Sequence, residues 1–245
     1  MKKGYTLIAF VLDRSGSMES IRDDTIGGVN RYFQSQREQP GECAVTLAQF
    51  DDEYELIYNC VPIAHVAPRT RENYVPRNWT ALYDAMARTI DETGAKLRAL
   101  PEHERPERVL FVTMTDGFEN KSRFHTAETV RGRIERQRNT YKWEFVFLGA
   151  NQDAILSAQK LGISAGATMT YAANTLGTAS VMDSLTAHSN AYRATGMHVN
   201  FTRGERLAQF NAGAHGDAAN DPVFDPDAQP PATDDVSVTS PAQAP

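Results

Sequence analysis

The sequence predicts an α/β protein with a doubly wound, mainly parallel central sheet, helices on both faces and one antiparallel edge hairpin. Segments with an apolar residue at every third or fourth position predict helices between the strands. Two strand-like segments joined by Asp51-Asp52-Glu53 predict the hairpin. Three continuous apolar runs have the pattern of strands buried on both faces of a sheet: YTLIAFVL (5–12), VLFVTMT (109–115) and WEFVFLGA (143–150).

In the first half of the chain, the helix that follows the first strand is predicted over residues 18–37, where apolar side chains recur at helical spacing. The strands of the hairpin are predicted at 43–50 and 54–63. Residues 64–79 hold two prolines among polar residues and are predicted to form a loop.

In the second half, residues 81–100 predict a strongly amphipathic helix, and a basic helix is predicted near 125–138. A short helix at 152–161, a weaker strand at 166–171 and a last helix at 175–192 follow. Because strands alternate with helices, the connections are expected to be crossovers between parallel strands.

Charged residues are distributed unevenly along the chain. The 245 residues carry a formal charge of −6, and the residues after Arg206 include six aspartates but neither lysine nor arginine. The segment 211–245 also holds half of the prolines. We therefore predict one domain at 1–197 and an acidic Pro/Ala/Asp-rich tail at 198–245, largely disordered because it buries too little apolar area. Residues 1–206 are formally balanced, which gives no indication of nucleic-acid binding.

The N-terminus has the basic start and apolar run of a signal peptide, but the run is short and no small-residue cleavage site follows it. No segment approaches the roughly 20 apolar residues of a membrane span. We expect a cytoplasmic protein without a membrane partner, whose two cysteines, Cys43 and Cys60, are free thiols. A hairpin that turns between Asp51 and Asp52 would place these cysteines opposite each other.

Oxygen-bearing side chains are concentrated in three loops that are expected to meet at the carboxyl edge of the sheet. They supply two carboxylates and three hydroxyls, from Asp13, Ser15, Ser17, Thr80 and Asp116. Such a set suits a hard divalent cation such as Mg²⁺, and the lack of His and Cys in these loops disfavours zinc and copper. Helix capping is the alternative explanation for the serines and aspartates.

The pattern Asp13-x-Ser15-x-Ser17, together with Thr80 and Asp116, resembles the metal-ion-dependent adhesion site (MIDAS) of von Willebrand factor A domains. The resemblance covers about residues 4–194. Three segments look like those of small stand-alone bacterial and phage proteins of this family: TALYDAM (80–86), TDGFEN (115–120) and WEFVFLGANQDA (143–154).

The resemblance implies that the two serines and the threonine coordinate Mg²⁺ or Mn²⁺ directly or through water, and that Asp13 and Asp116 act largely through water. It also implies that one coordination position is left to an Asp or Glu of a protein partner, so that the domain acts as a metal-dependent adaptor. One departure is that Asn78-Trp79 precede Thr80, where many members of the family have glycines.

Candidate partner contacts lie in the loops around this site. For Trp79 the alternatives are a loop anchor packed on the domain and an exposed contact residue. Residues 151–153 follow a strand on the same face, and Asp84 is expected to be a supporting or surface acid. The candidate contacts are Asn78, Trp79, Phe118, Glu119 and Asn120, with the alternative that some of them cap and fix loops.

Two other classes of function remain as alternatives. A hydrolase with Asp13 as nucleophile would need a second acid two residues later, where Ser15 stands, and the sequence has neither a nucleophile elbow around Ser15 nor a phosphate-binding glycine loop. We therefore expect no catalytic activity. In a structural or assembly protein, such as a component of a phage particle, the metal site would only stabilise the fold.

Overall fold

The structure, a computed structural model, describes residues 1–150 and 154–214. Among these residues six strands form a single sheet: β1 (Lys2–Asp13), β2 (Glu42–Phe50), β3 (Tyr54–Pro62), β4 (Pro106–Thr115), β5 (Glu144–Ala150) and β6 (Thr168–Tyr171). Their order in the sheet is β3-β2-β1-β4-β5-β6.

All neighbouring strands pair in parallel except β2 and β3, which form the antiparallel edge hairpin. The predicted fold class is therefore confirmed. From β1 the chain continues to β2 on one side of the sheet and later returns to β4 on the other side. The two connections diverge above β1 and β4, and the crevice that such a switch point creates is where ligands bind in open α/β sheets.

In the described part of the chain, six α-helices surround the sheet: α1 (Arg22–Glu38), α2 (Leu82–Ala99), α3 (Ala127–Tyr141), α4 (Ala154–Lys160), α5 (Thr175–Thr195) and α6 (Arg203–Asn211). Since right-handed crossovers that run in opposite directions place their helices on opposite faces, α1 and α2 lie on different sides, with α5 packed on α1 and α3 packed on α2. None of the helices in the described part of the chain is long and apolar enough to cross a membrane.

The core is centred on β1. Every side chain from Leu7 to Leu12 is completely buried, as the continuous apolar run predicts for a strand covered on both faces. On one face, Phe10 makes edge-on ring contacts with Tyr32 and Phe33 of α1. A rigid strand of this kind holds Asp13, its last residue, in a defined position.

The hairpin register differs from the prediction. The pairing shifts between Val45 and Leu47 and again between Leu47 and Ala48, so β3 contains extra residues relative to β2. As a result Cys60 lies beside Thr46, with Sγ 3.7 Å from the threonine hydroxyl, and does not face Cys43. The predicted juxtaposition of the two cysteines is wrong, and both are free thiols in the structure.

The predicted domain boundary at residue 197 also differs from the structure, because residues 198–214 pack on the domain. Val199 and Phe201 are buried. The Gln209 amide on α6 accepts from the Ala172 backbone N–H at 3.2 Å and donates to the Gly177 carbonyl at 3.1 Å. Isolated apolar residues and a buried glutamine leave no periodic signal in the sequence. The remainder of the predicted tail, 215–245, lies outside the described residues.

Candidate metal site

The five predicted site residues come together at the switch point of the sheet. Asp13 ends β1, and its neighbour Leu12 pairs with Met114 of β4, which places the ends of the two strands side by side. Asp116 follows β4 directly. Ser15 precedes the short 3₁₀ helix Gly16–Ile21 that leads into α1, Ser17 lies in that helix, and Thr80 precedes α2.

A chain of short contacts links the first and third loops. The Ser15 and Ser17 hydroxyl oxygens are 3.3 Å apart, and Ser17 donates to Asp116 Oδ1 at 2.5 Å. Asp13 Oδ1 accepts from the Ser15 backbone N–H at 2.6 Å, while Asp13 Oδ2 accepts from the Thr115 hydroxyl. Asp13 is thus oriented by donors from the first and third loops, and Asp116 accepts from a serine of the first loop.

Three hydroxyls surround a small space above Gly117. A Cβ atom at Gly117 would lie 2.9 Å from Thr80 Oγ1, 3.5 Å from Ser17 Oγ and 3.6 Å from Ser15 Oγ. Because glycine has no side chain, this space stays open between the oxygens. Thr80 therefore belongs to the same cluster as the serines, although it lies more than sixty residues away in the chain.

The two aspartates of the site both have raised pKa values. Asp13 is completely buried, and burial raises its pKa to about 7, although hydrogen bonds from Thr115 and Ser15 counteract part of the rise. Burial also raises the pKa of Asp116. Among the described residues no lysine or arginine forms an ion pair with either aspartate, and the adjacent Arg14 pairs with Asp51 and Glu55 instead.

The residues present fit a hard divalent cation. The described residues contain no group of three or more His, Cys, Asp and Glu side chains that could hold a metal, so a zinc-type ligand cluster is not formed by them. The donors are two carboxylates and three hydroxyls, and oxygen donors of this kind suit Mg²⁺ and Mn²⁺. A cation among them would compensate the buried charge of Asp13.

The loop that carries Thr80 is held against the first loop by its backbone. The Arg77 N–H donates to the Arg14 carbonyl at 2.8 Å, and the Gly16 N–H donates to the Asn78 carbonyl at 3.2 Å. Asn78 adopts a left-handed conformation with φ of 58°, which Asn tolerates better than most residues. The hydroxyl of the buried Tyr74, which lies earlier in the same loop, donates to the Asp13 carbonyl at 2.6 Å.

Two of the predicted partner contacts fix loops in this structure. The Asn120 side-chain oxygen accepts from the Thr80 N–H at 2.9 Å. Glu119 Oε2 accepts from the Tyr83 N–H at 3.0 Å at the start of α2, and Glu119 Oε1 accepts from the Ser122 N–H at 2.7 Å. Asp84 likewise accepts from backbone groups of residues 123–125, in line with the expected supporting role.

Trp79 and Phe118 form the exposed apolar part of the rim. Their side chains are 57% and 61% exposed. Lys121 Nζ lies over the Trp79 ring, 5.4 Å from its centroid, so the ring is turned outwards and is not buried as a loop anchor. Asn78 is also exposed. Residues 151–153, predicted on the same face, lie outside the described residues.

Sequence reasoning missed two residues that orient Asp13. Thr115 stands in the TDGFEN segment, but its role as a hydrogen-bond donor to Asp13 follows from the register of β1 and β4. Tyr74 lies in a proline-containing loop without periodicity, so no sequence signal pointed to it.

Comparison with known proteins supports the fold. No protein-family model and no curated protein matches the sequence. Among solved structures, proximal thread matrix protein 1 from the mussel byssus, with a zinc-occupied MIDAS motif, matches with a TM-score of 0.52 at 14% identity over 76% of this chain and 46% of that chain. The vWF domain of the pilus tip protein Mfa5 from Porphyromonas gingivalis matches with a TM-score of 0.52 at 8% identity, over 76% of this chain and 95% of that one.

A von Willebrand factor type A structure from Catenulispora acidiphila matches with a TM-score of 0.51 at 13% identity, over 76% of this chain and 43% of that chain. This chain thus spans less than half of the mussel and Catenulispora chains. At such low identities the likeness is one of fold. The chain has the von Willebrand factor A fold, and its predicted metal-site residues occupy the carboxyl edge of the sheet.

Proposed function

We propose that the protein is a metal-dependent protein-binding module. Ser15, Ser17 and Thr80 would hold Mg²⁺ or Mn²⁺ through their hydroxyls, and Asp13 and Asp116 would support the ion largely through water. The observation that carries this proposal is the convergence of three hydroxyls on the space above Gly117, beside two carboxylates that lack a cationic partner among the described residues.

The donor set explains why such an ion would bind a partner. Hydroxyls are neutral, so they compensate little of the ion's charge, and a bound cation would still attract a further carboxylate. Binding of an Asp or Glu from a protein partner is the reaction that this chemistry favours. The hydroxyl-bearing loops are cross-linked by hydrogen bonds to the backbone, so they are held in place before the partner arrives.

The rim would supply specificity. Trp79 and Phe118 are exposed in the loops that carry Thr80 and Asp116, and large aromatic side chains are common among residues that dominate binding energy. The proposal extends to an adaptor role in the cytoplasm without catalysis. In this proposal Glu119 and Asn120 hold the loops of the rim in place through hydrogen bonds that they accept from backbone N–H groups.

The test combines metal binding with partner capture. By calorimetry, the full chain should bind one Mn²⁺ or Mg²⁺ ion, and Thr80→Ala should weaken binding strongly. Thr140→Ala, an exposed threonine on α3, is the matched control and should bind normally. Capture from the host lysate should need the metal, and EDTA or Thr80→Ala should abolish it. Capture that is unaffected by EDTA and by Thr80→Ala would instead support the assembly role, with a purely stabilising site.

A further inference from the structure

A groove lies beside the metal site, between the turn of the edge hairpin and the start of α2. It has a volume of about 400 Å³. The hairpin residues 50–54, α2 residues between Asp84 and Glu92, and the pair Phe124 and His125 line it. The proposed function assigns no role to this groove.

The groove is continuous with the metal site. Ala81, which directly follows Thr80, lines the groove, and its N–H donates to the Asp51 carbonyl at 2.8 Å. Asp84 comes only four residues after Thr80, and its Oδ1 accepts from the Phe124 N–H at 3.1 Å. A partner segment that binds a cation at Thr80 would therefore lie at the mouth of the groove.

Two acids of the groove lack a lysine or arginine partner among the described residues. Arginines form ion pairs with four of the six acids that line it: Asp51, Glu53, Asp91 and Glu92. The other two are Asp52, which is exposed, and Asp84, which accepts from backbone N–H groups and contacts the His125 ring. These two carboxylates can receive a cationic group from outside the chain.

Asp84 is held as a charged group. Burial opposes its ionisation, but hydrogen bonds from the backbone of residues 123–125 and from the His125 side chain outweigh burial and lower the pKa of Asp84. A metal ion is not the expected occupant, because the described residues contain no group of three or more His, Cys, Asp and Glu side chains that could hold one. A cationic side chain needs fewer carboxylates.

Phe124 adds an apolar wall. The residue is 82% exposed, so its ring can contact a partner. The groove already holds one cation by this combination of groups, because the Arg88 guanidinium lies 4.3 Å from the centroid of the Tyr54 ring and pairs with Glu92 at 2.8 Å. Long basic side chains pack their alkyl part on an aromatic ring while the charged end binds a carboxylate. Phe124 with the two unpaired acids offers the same combination to a side chain from outside.

We propose that the groove binds a lysine or arginine side chain of the partner whose Asp or Glu binds the cation of the metal site. The charged end would pair with Asp52 and Asp84, and the alkyl part would pack on Phe124. An extended chain covers about 3.3–3.6 Å per residue, so the basic residue should lie within about four residues of the acid. This inference rests on the proposed function, and it specifies which acidic partners the domain selects.

The experiment uses the full chain loaded with Mn²⁺ to select binders from a library of short random peptides, and EDTA then releases those that need the metal. The released peptides should carry an Asp or Glu with a Lys or Arg within about four residues, more often than the unselected library does.

Variants of the groove then locate the basic residue. Asp52→Asn and Phe124→Ala should each weaken binding of one such synthetic peptide about three- to fivefold, the effect of a single exposed ion pair or ring contact. Both side chains are exposed, so both variants should fold and bind Mn²⁺ normally. Asp183→Asn, which changes an exposed acid on α5, is the matched control and should bind the peptide like wild type.

Replacement of the peptide's basic residue by alanine should weaken binding to wild type about tenfold and have little effect with the double variant Asp52→Asn/Phe124→Ala. An equal loss with both proteins would show that the basic residue binds elsewhere and would overturn the inference. Released peptides that carry acids without an excess of basic residues would refute the role of the groove and leave the proposed function intact. If EDTA releases no peptides, or only peptides without acids, the proposed function fails and the inference with it.

Discussion

Two buried aspartates at neighbouring strand ends have opposite surroundings. Asp13 ends β1 and pairs in register with Phe50, the residue before Asp51, and both aspartates are completely buried. Asp51 Oδ2 lies 3.2 Å from Arg14 Nε and 2.7 Å from Arg77 Nε. Asp13 receives only hydrogen bonds from hydroxyl and amide groups.

The difference separates an acid that holds the fold from an acid that is suited to binding. Two arginines of the chain compensate the charge of Asp51: Arg14 in the loop after β1 and Arg77 in the loop before α2. Among the described residues Asp13 has no counter-ion although Arg14 is the next residue, because the Arg14 side chain is directed to Asp51 and Glu55. A buried charge that the protein does not pair is costly. Asp13 can avoid this cost by keeping a proton, as its raised pKa indicates, or by binding an external cation.

The largest effect is expected when the buried ion pair between Asp51 and Arg14 is broken. Asp51→Asn leaves the buried guanidinium of Arg14 with only the half-exposed Glu55 as a partner. We expect the free energy of unfolding to fall by about 3 kcal/mol, the lower end for a broken buried ion pair. In contrast, Asp13→Asn should stabilise the metal-free protein at pH 8 by on the order of 2 kcal/mol, because it removes an unpaired buried charge. Urea denaturation measures the change in the free energy of unfolding for both variants. A change of the same sign in both would contradict the comparison.

The second effect concerns the missing counter-ion. Binding of a divalent cation to the native state alone should stabilise it by about 2.7 kcal/mol at a metal concentration one hundred times Kd. Asp13→Asn and Thr80→Ala should lose this stabilisation, whereas Asp51→Asn should keep it despite its lower starting stability. Thermal unfolding with Mg²⁺ and with EDTA measures the difference, and a metal response retained in Thr80→Ala would contradict the assignment of that hydroxyl.

The third effect is a pH dependence with a defined sign. The pKa of Asp13 is raised from 3.8 to about 7 in the folded protein. Between these two pH values the native state therefore keeps a proton on Asp13 that the unfolded chain has lost. In EDTA, stability should therefore fall as the pH rises from about 4 to about 7 and then level off. Metal binding displaces this proton, so Mn²⁺ affinity should rise by up to about tenfold per pH unit below 7. Urea midpoints at pH 5 and pH 8 test the slope, which Asp13→Asn should remove.

The smallest effect compares two buried tyrosines beneath the site. Tyr74 donates to the Asp13 carbonyl, whereas the Tyr171 hydroxyl is buried without a hydrogen-bond partner in the described structure. Tyr74→Phe should lower the free energy of unfolding by about 1 kcal/mol, while Tyr171→Phe should be neutral or slightly stabilising. Urea denaturation of the two variants decides this, and a larger loss for Tyr171→Phe would show that its hydroxyl has a partner.

Much of the site could be read from the sequence because its signals are local. The apolar run before Asp13 marks a central strand, and the spacing of the two serines places both hydroxyls in the turn that follows it. Thr80 and Asp116 could be added because crossover connections bring strand ends to one edge. These inferences need only periodicity, residue type and topology.

Other features depended on contacts between distant parts of the chain. Glu119 was grouped with the partner contacts, yet it accepts hydrogen bonds at the start of α2; nothing in its immediate sequence distinguishes the two roles. The pairing of the cysteines was wrong because two bulges shift the hairpin register. The order in 198–214 cannot be predicted from local sequence, because it depends on Gln209, which bonds to Ala172 just after β6 and to Gly177 in α5.

The sequence by itself thus determined the alternation of strands and helices, the central position of β1 and the residue types at its end, since hydrophobic periodicity and residue spacing act over short distances. Only the tertiary structure decided which buried acid receives arginines and which does not. Charge compensation is set by distances between side chains from different loops, and Arg14 illustrates it: the residue adjacent to Asp13 in the chain pairs with Asp51 on the next strand.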